Sequence, residues 1–289
     1  MKVIRGKKAL VTGAASGIGR MIALALAREG ADLYLIDVNE DELTKVAADV
    51  RALGVEAVTA HCDVTHSDEI TLSVEDLLAR WGKVDILINN VGVAFYGPTE
   101  SMTASQWSWL LKINLLAPIQ FTRELLPTLL KLPEAHVLNV CSIAGLVAGG
   151  RFAAYHVSKF GLVGFSEALR AEYGRRGVGV TALCPGPVQT NLYSSAISGR
   201  EGREVPTPPA WICTTEHKVA EQAIAAIRKN RRLVLLTPMA HLLWNLKRFA
   251  PGLLDFANHF GRRRKRRRMA ADTPEGNRLA PQEDQRRAA

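Results

Sequence analysis

Residues 7–37 read KKALVTGAASGIGRMIALALAREGADLYLID. The stretch opens with a short apolar run, turns through three glycines, and continues with apolar residues at helical spacing up to Gly30. It closes on a second apolar run that ends in Asp37. A short apolar run followed by a helical period and another short run predicts strand, helix, strand. Glycine after the last periodic residue is a common helix stop.

The same alternation runs outward along the chain. NEDELTKVAADVRALG (39–54) predicts a helix with acids in its first turn, where they oppose the positive end of the helix dipole. VEAVTAHCD (55–63) predicts a strand, and SDEITLSVEDLLARWG (67–82) a helix with Ser67 as N-cap. Further strands are predicted at VDILINN (84–90), AHVLNVCS (135–142), VGVTALCPG (178–186) and RRLVLLTP (231–238). Helices are predicted between them: one long helix over about 104–131, then 152–174 and 216–229. Seven strands interleaved with helices imply an α/β fold, a doubly wound seven-stranded parallel sheet covered on both faces, in a single domain over residues 1–237.

Composition narrows the class. The chain has 289 residues, 47% of them apolar. No run of about 18 uncharged apolar residues occurs, so no spanning helix is expected. The N-terminus enters a strand without a leader-like apolar segment and cleavage site, so no signal peptide is expected and the location is read as cytoplasmic. Cys62, Cys141, Cys184 and Cys213 form no C-x-x-C pair and read as reduced, mostly buried thiols, with no metal site. The net charge of +9 is uneven. Residues 261–289 hold ten Lys/Arg and four Asp/Glu, leaving +3 for the other 260 residues. The body carries no basic stripe for nucleic acid.

The glycines Gly13, Gly17 and Gly19 stand between the first strand and the first helix, where backbone amides can meet a pyrophosphate at a helix N-terminus. The alternative is a merely tight turn. Asp37 ends the second strand, placed to accept hydrogen bonds from a ribose and to repel a 2′-phosphate; Ser16 and Val38 offer no positive charge. NAD is therefore expected over NADP. Asp37 could instead cap the following helix. Asp63 ends the third strand, and Asn89, Asn90 and Gly92 end the fourth, at the carboxyl edge where ligands sit in such sheets. Ordinary turn formation is the alternative there. Ser142 ends the fifth strand, and YHVSK (155–159) sets Tyr155 one helical turn before Lys159.

In order and spacing, TGAASGIG, Asp37, NNVG, Ser142 and YHVSK resemble the classical short-chain dehydrogenase/reductase family over about residues 5–237, with Val91 in place of that family's usual alanine. The resemblance implies a Rossmann-like fold and an NAD(P)(H)-dependent oxidoreductase that interconverts an alcohol and a carbonyl. It implies Asn114, Ser142, Tyr155 and Lys159 as catalytic residues. It places Gly13, Ser16, Gly17, Ile18 and Gly19 at the cofactor's phosphates, and Asp63 with Val64 at its adenine. Asn90 and Gly92 join the cofactor site, as do Pro185, Gly186, Val188 and Thr190 at the nicotinamide carboxamide. Lys159 would also clamp the nicotinamide ribose. A phenol is a poor base at neutral pH, but a neighbouring ammonium and an oxidised nicotinamide favour the phenolate. A helix-face ion pair for Lys159 and a strand-end turn for Ser142 are the plainer alternatives. Pro118 lies four residues after Asn114 and has no N–H to offer its carbonyl. That carbonyl could then hold a water of the family's proton relay; a plain helix kink is the other reading.

Apolar residues near these motifs (Val93, Phe95, Leu146, Val147, Tyr193, Ile197 and Trp211) suggest a hydrophobic alcohol or carbonyl substrate. Substrate contacts are expected from Ser142, Val93, Leu146, Tyr193 and Trp211. Residues 238–260 predict an amphipathic helical extension, followed by GRRRKRRR (261–268) and a disordered tail over 261–289. That pairing suggests peripheral membrane contact, against packing on the body or on a second subunit. The family resemblance suggests a homodimer or homotetramer. A dinucleotide-sensing protein without catalysis, binding a partner or membrane through its basic C-terminus, is the alternative function.

Overall fold

The computed structural model describes residues 1–190, 192, 196–199 and 205–253. The chain divides into two units, Met1–Trp244 and Asn245–Ala289. The strands are β1 (Lys8–Thr12), β2 (Asp32–Asp37), β3 (Ala57–His61), β4 (Ile86–Asn89), β5 (Phe95–Tyr96), β6 (Ala135–Val140), β7 (Val178–Cys184), β8 (Ile197–Ser198) and β9 (Leu233–Leu235). The helices are α1 (Gly17–Arg28), α2 (Glu40–Arg51), α3 (Ser67–Trp81), α4 (Ala104–Leu111), α5 (Ala117–Leu129), α6 (Ala153–Tyr173), α7 (Glu216–Arg228) and α8 (Pro238–Phe249).

Seven strands form one parallel sheet in the order β3-β2-β1-β4-β6-β7-β9, as the alternating pattern predicts. Successive residues feed opposite faces. Val11, Leu33 and Leu35 pack in one core with Ile22, Leu26 and Ile227 of α1 and α7. Leu10, Tyr34 and Ile36 pack in the other with Leu77, Phe121 and Leu125 of α3 and α5. Order reverses at β1 and β4, which pair side by side, so the crevice opens at their carboxyl ends. β5 and β8, two residues each, pair in parallel through Phe95–Ile197 and Tyr96–Ser198 as a separate small sheet, which the sequence pattern did not indicate.

Two local expectations change. The long helix over about 104–131 is interrupted: Lys112–Leu116 form a π turn, with the Ala117 amide donating to Lys112 O five residues back. Pro118 follows immediately and supplies no N–H, so the α-helical register cannot be kept through it. Ser67 does not cap α3. His66 holds the N-cap position without a side-chain cap, and Ser67 Oγ donates to Gln120 Oε1 at 3.1 Å instead. The first unit runs past residue 237 to Trp244, because the start of α8 is tied down. Ala240 is buried, and its amide donates to Thr237 Oγ1 at 3.1 Å. Of the second unit, residues 245–253 are described; Phe249 and Leu253 are exposed there, and the basic run 261–268 lies outside the described residues. Among the described residues no helix is long and apolar enough to cross a membrane.

His136 on β6 is fully buried, and its Nε2 lies 2.9 Å from Thr181 Oγ1. The Thr181 hydroxyl donates to Arg231 O at 2.6 Å, so it accepts from Nε2–H, and Nδ1 has no partner among the described residues. Burial first, then the N-terminal ammonium and Arg170, push the imidazole down to about 3. A histidine depressed in the fold lets the unfolded chain bind the extra proton. Stability is therefore complete above the ordinary imidazole range and falls as pH drops toward 3. Urea unfolding should show a loss approaching ~1.4 kcal/mol per pH unit below about pH 6 from this group. His136→Phe should flatten that acid slope whatever its absolute stability. Parallel slopes in the two proteins would exclude His136 as the source.

Candidate active site

The glycine turn closes on itself before any ligand arrives. Gly13 and Gly17 adopt φ of +65° and +56°, the left-handed region glycine tolerates. A Cβ at Gly19 would lie 2.0 Å from Gly13 O, so only glycine fits. Asn90 braces the turn: its Nδ2 donates to Thr12 O and Gly13 O, each at 3.0 Å. Thr12 Oγ1 accepts from the Asn90 amide at 3.0 Å. The Ser16 side chain at the N-cap makes no cap bond, so among the described residues no side chain occupies the first-turn amides of α1 beside the crevice. A Cβ on Gly17 would meet nothing closer than 3.6 Å, which keeps this approach open.

Asp37 lines the same crevice. Its Oδ2 accepts from the Ala15 amide at 2.9 Å and its Oδ1 from the Asn39 amide at 3.1 Å. The cap of α2 is Asn39, whose side chain accepts from the Glu42 amide. Asp37 is thus held in place by two amides and is not spent as a helix cap.

The crevice measures about 600 Å³ and runs from this turn to α6. Gly13, Ser16, Gly17, Ile18, Asp37, Asn90, Gly92, Val93, Ser142, Tyr155, Lys159, Pro185, Gly186, Val188 and Thr190 all line it. A ligand-sized cleft that brings an open amide turn and an acid together with a phenol and an ammonium fits a dinucleotide and a small partner molecule.

At the far end, α6 presents Tyr155 and Lys159. Lys159 is buried, and its Nζ donates to Val140 O at 2.9 Å and stands 5.7 Å from the Tyr155 ring centre. Burial draws its pKa below the ordinary lysine value, opposed by the neighbouring Cys141 and Cys184 thiols. Ser142 Oγ accepts from the Ala144 amide at 3.1 Å. That bond uses a lone pair and leaves the hydroxyl proton to donate into the cleft. The Ile143 amide donates to Pro185 O at 2.8 Å, joining the Ser142 turn to the Pro185–Gly186 turn.

Several expected residues lie elsewhere. Asn114 sits in the π turn, fully buried behind the cleft wall. Its Oδ1 accepts from the Val93 amide at 2.8 Å, and its Nδ2 donates to Val93 O at 2.8 Å and Ser158 Oγ at 3.1 Å. The side chain positions Val93 and α6 and does not face the cleft. Gly19 shapes the turn from beneath and does not line the cleft. Asp63 and Val64 also do not line it: Asp63 Oδ1 accepts from the Thr65 amide at 2.9 Å, and Val64 is buried in the core. Asn89 points into the core, where its Nδ2 donates to Asn139 Oδ1 at 2.8 Å.

The expected substrate contacts change most. Trp211 is 86% exposed and takes no part in the cleft, because it sits in a short 3-10 turn directed to solvent. Leu146 turns inward against the cluster of Cys141 and Leu162. Phe95 is buried and packs with Ile197. Tyr193 lies outside the described residues. The apolar wall is built by the expected Val93 together with Ala94, Phe152, Leu192, Pro206 and Pro208. Phe152 was legible in principle, as the residue that enters α6 three positions before Tyr155. Pro206 and Pro208 arrive from a segment without period and gave no signal.

A seven-stranded parallel sheet with a dinucleotide turn at its switch point, and Ser, Tyr and Lys at the far end of one cleft, defines a nicotinamide-dependent oxidoreductase. The chain belongs to the short-chain dehydrogenase family: the family model described as short chain dehydrogenase matches residues 7–201. It is 34% identical over 214 residues to the CLA biosynthesis dehydrogenase/reductase of Lactiplantibacillus plantarum, covering 73% of this chain and 75% of that one. A short chain dehydrogenase/reductase from Burkholderia phymatum, solved with NAD, superposes with a TM-score of 0.78 at 27% identity, covering 88% of this chain and 97% of that one. A metagenomic short-chain oxidoreductase solved with NADP superposes with a TM-score of 0.69 at 29% identity, covering 81% and 98%. The protein is an NAD(P)-dependent oxidoreductase of this family.

Proposed function

We propose that the protein interconverts a hydrophobic secondary alcohol and its ketone, or a primary alcohol and its aldehyde, with NAD as the preferred cofactor. The observation that carries this reading is the shared cleft: Tyr155, Ser142 and buried Lys159 at one end, the uncapped α1 turn and Asp37 at the other. The nicotinamide, when bound, takes or gives the hydride. The chain's own residues handle the oxygen and its proton. In the oxidative direction Tyr155 Oη takes the hydroxyl proton, and Ser142 Oγ donates a hydrogen bond to that oxygen throughout. Lys159 places its ammonium beside the phenol and favours the phenolate form. In reduction Tyr155 returns the proton to the oxygen.

The apolar wall of Phe152, Leu192, Pro206 and Pro208 supports a hydrophobic substrate. Asp37 supports NAD, since a 2′-phosphate would bring negative charge against a carboxylate already fixed by Ala15 and Asn39.

A panel of hydrophobic alcohols and ketones assayed with NAD and NADP tests both parts. NAD should win by about 10-fold or more in kcat/KM, equivalent to one repulsive contact of ~1.4 kcal/mol. Asp37→Ala should erase most of that preference. Equal use of both cofactors by the unaltered protein would overturn the assignment of Asp37. Dinucleotide binding without turnover of any substrate would favour a sensing role.

A further inference from the structure

His156 follows Tyr155 on α6 and lines the same cleft, yet its ring is occupied entirely by main chain. Nδ1 lies 2.8 Å from Ala144 O, and Nε2 accepts from the Gly149 amide at 2.9 Å. An amide can only donate, so Nε2 must carry the lone pair, and the proton sits on Nδ1 and is donated to Ala144 O. Both bonds are satisfied in one state alone, the neutral Nδ1–H tautomer. One imidazole therefore ties both ends of the segment 144–149 to the helix that carries Tyr155.

The segment it ties begins two residues after Ser142. Ser142 Oγ accepts from the Ala144 amide, and the Ala144 carbonyl accepts from His156. The serine hydroxyl and the phenol are thus linked through Ala144 and His156, by hydrogen bonds and one peptide unit. Without the imidazole, Gly145 would still pack on the Lys159 main chain and Leu146 on Leu162, but no other hydrogen bond among the described residues joins Ala144 or Gly149 to α6.

We propose that His156 is a positioning residue for the reaction: it sets where the Ser142 hydroxyl stands relative to Tyr155 and where residues 143–149 bound the substrate side of the cleft. This rests on the reading of Ser142 and Tyr155 given above. It does not require His156 to touch substrate or cofactor.

The first measurement needs no turnover. Nitrogen-15 NMR of the full chain with labelled histidine should show one ring, assigned by its loss in His156→Ala, as the neutral Nδ1–H tautomer at pH 7.5. A cationic ring or the Nε2–H tautomer there would overturn the proposal. Hydrogen exchange over residues 144–150 should accelerate about 10–100-fold in His156→Ala, the range for two lost neutral hydrogen bonds. Unchanged exchange would also overturn it. In an active preparation His156→Ala should lower kcat by about the same factor while NADH binding, read by fluorescence, stays within about 2-fold. His156→Gln, which restores an acceptor for Gly149, should recover part of the loss. Equal losses in kcat, NADH binding and thermal stability, with no rescue by Gln, would mean a structural role alone. Should no substrate be found, the tautomer and exchange results still decide the clamp. The assignment of Ser142 and Tyr155 would then fail separately.

Discussion

Tyr155→Phe should bind NADH as the unaltered protein does and turn over substrate about 100- to 10,000-fold more slowly, the range for losing a general acid–base group. The substitution removes one oxygen and leaves the ring. The ring's packing against Phe152, with centres 6.3 Å apart, should survive, so thermal stability should change little. Lys159 should also stay in place, because its bond is to Val140 O and not to the phenol ring. Pre-steady-state mixing with saturating cofactor would place the loss in the chemical step. A variant that kept full kcat would remove Tyr155 from the mechanism.

A second large effect is expected at Gly19, which touches no ligand in this reading. A methyl group there would lie 2.0 Å from Gly13 O and 2.4 Å from Asn90 Nδ2. Both neighbours are fixed: Gly13 is backbone in a tight turn, and Asn90 Nδ2 is committed to Thr12 O and Gly13 O. Gly19→Ala must therefore push α1 away from β1 or break the Asn90 brace. Either change misplaces the amides of the first turn. NADH affinity should fall by about 100-fold or more, the scale of two broken polar contacts near a charged ligand, ~3 kcal/mol. Urea unfolding should show destabilisation of ~2–4 kcal/mol, as expected for overpacking at a closed site. Normal cofactor affinity in a folded Gly19→Ala protein would mean the turn is not the phosphate site.

The sheet was legible because strands buried on both faces need apolar side chains at nearly every position, so 33–36 and 86–88 stand out as uninterrupted runs. The glycine turn and the Tyr155–Lys159 pair were legible because their geometry is local, set by spacing along one element. The π turn at 112–116 was only half visible. Pro118 announces that the helix must change there, but a wider turn and a kink leave the same mark on the sequence. Trp211 and Leu146 misled for one reason: in irregular segments an apolar side chain has no period to say which way it faces. His156 was invisible because its partners, Ala144 and Gly149, are backbone groups that no residue type announces. Asn89 and Asn90, identical neighbours in sequence, part ways because consecutive residues leaving a strand face opposite directions. One joins the core network with Asn139, and the other braces the glycine turn.

The little sheet of β5 and β8 carries a lesson for anyone reshaping this protein. Phe95–Ile197 and Tyr96–Ser198 fasten the stretch after β7 to the stretch after β4, a hundred residues earlier in the chain. A transplant that replaced residues 191–204 with a foreign sequence to alter taste for a new compound would cut that stitch. Grafts that keep Ile197 and Ser198, and vary the wall residues Leu192, Pro206 and Pro208, leave the anchor whole while the cleft is recut.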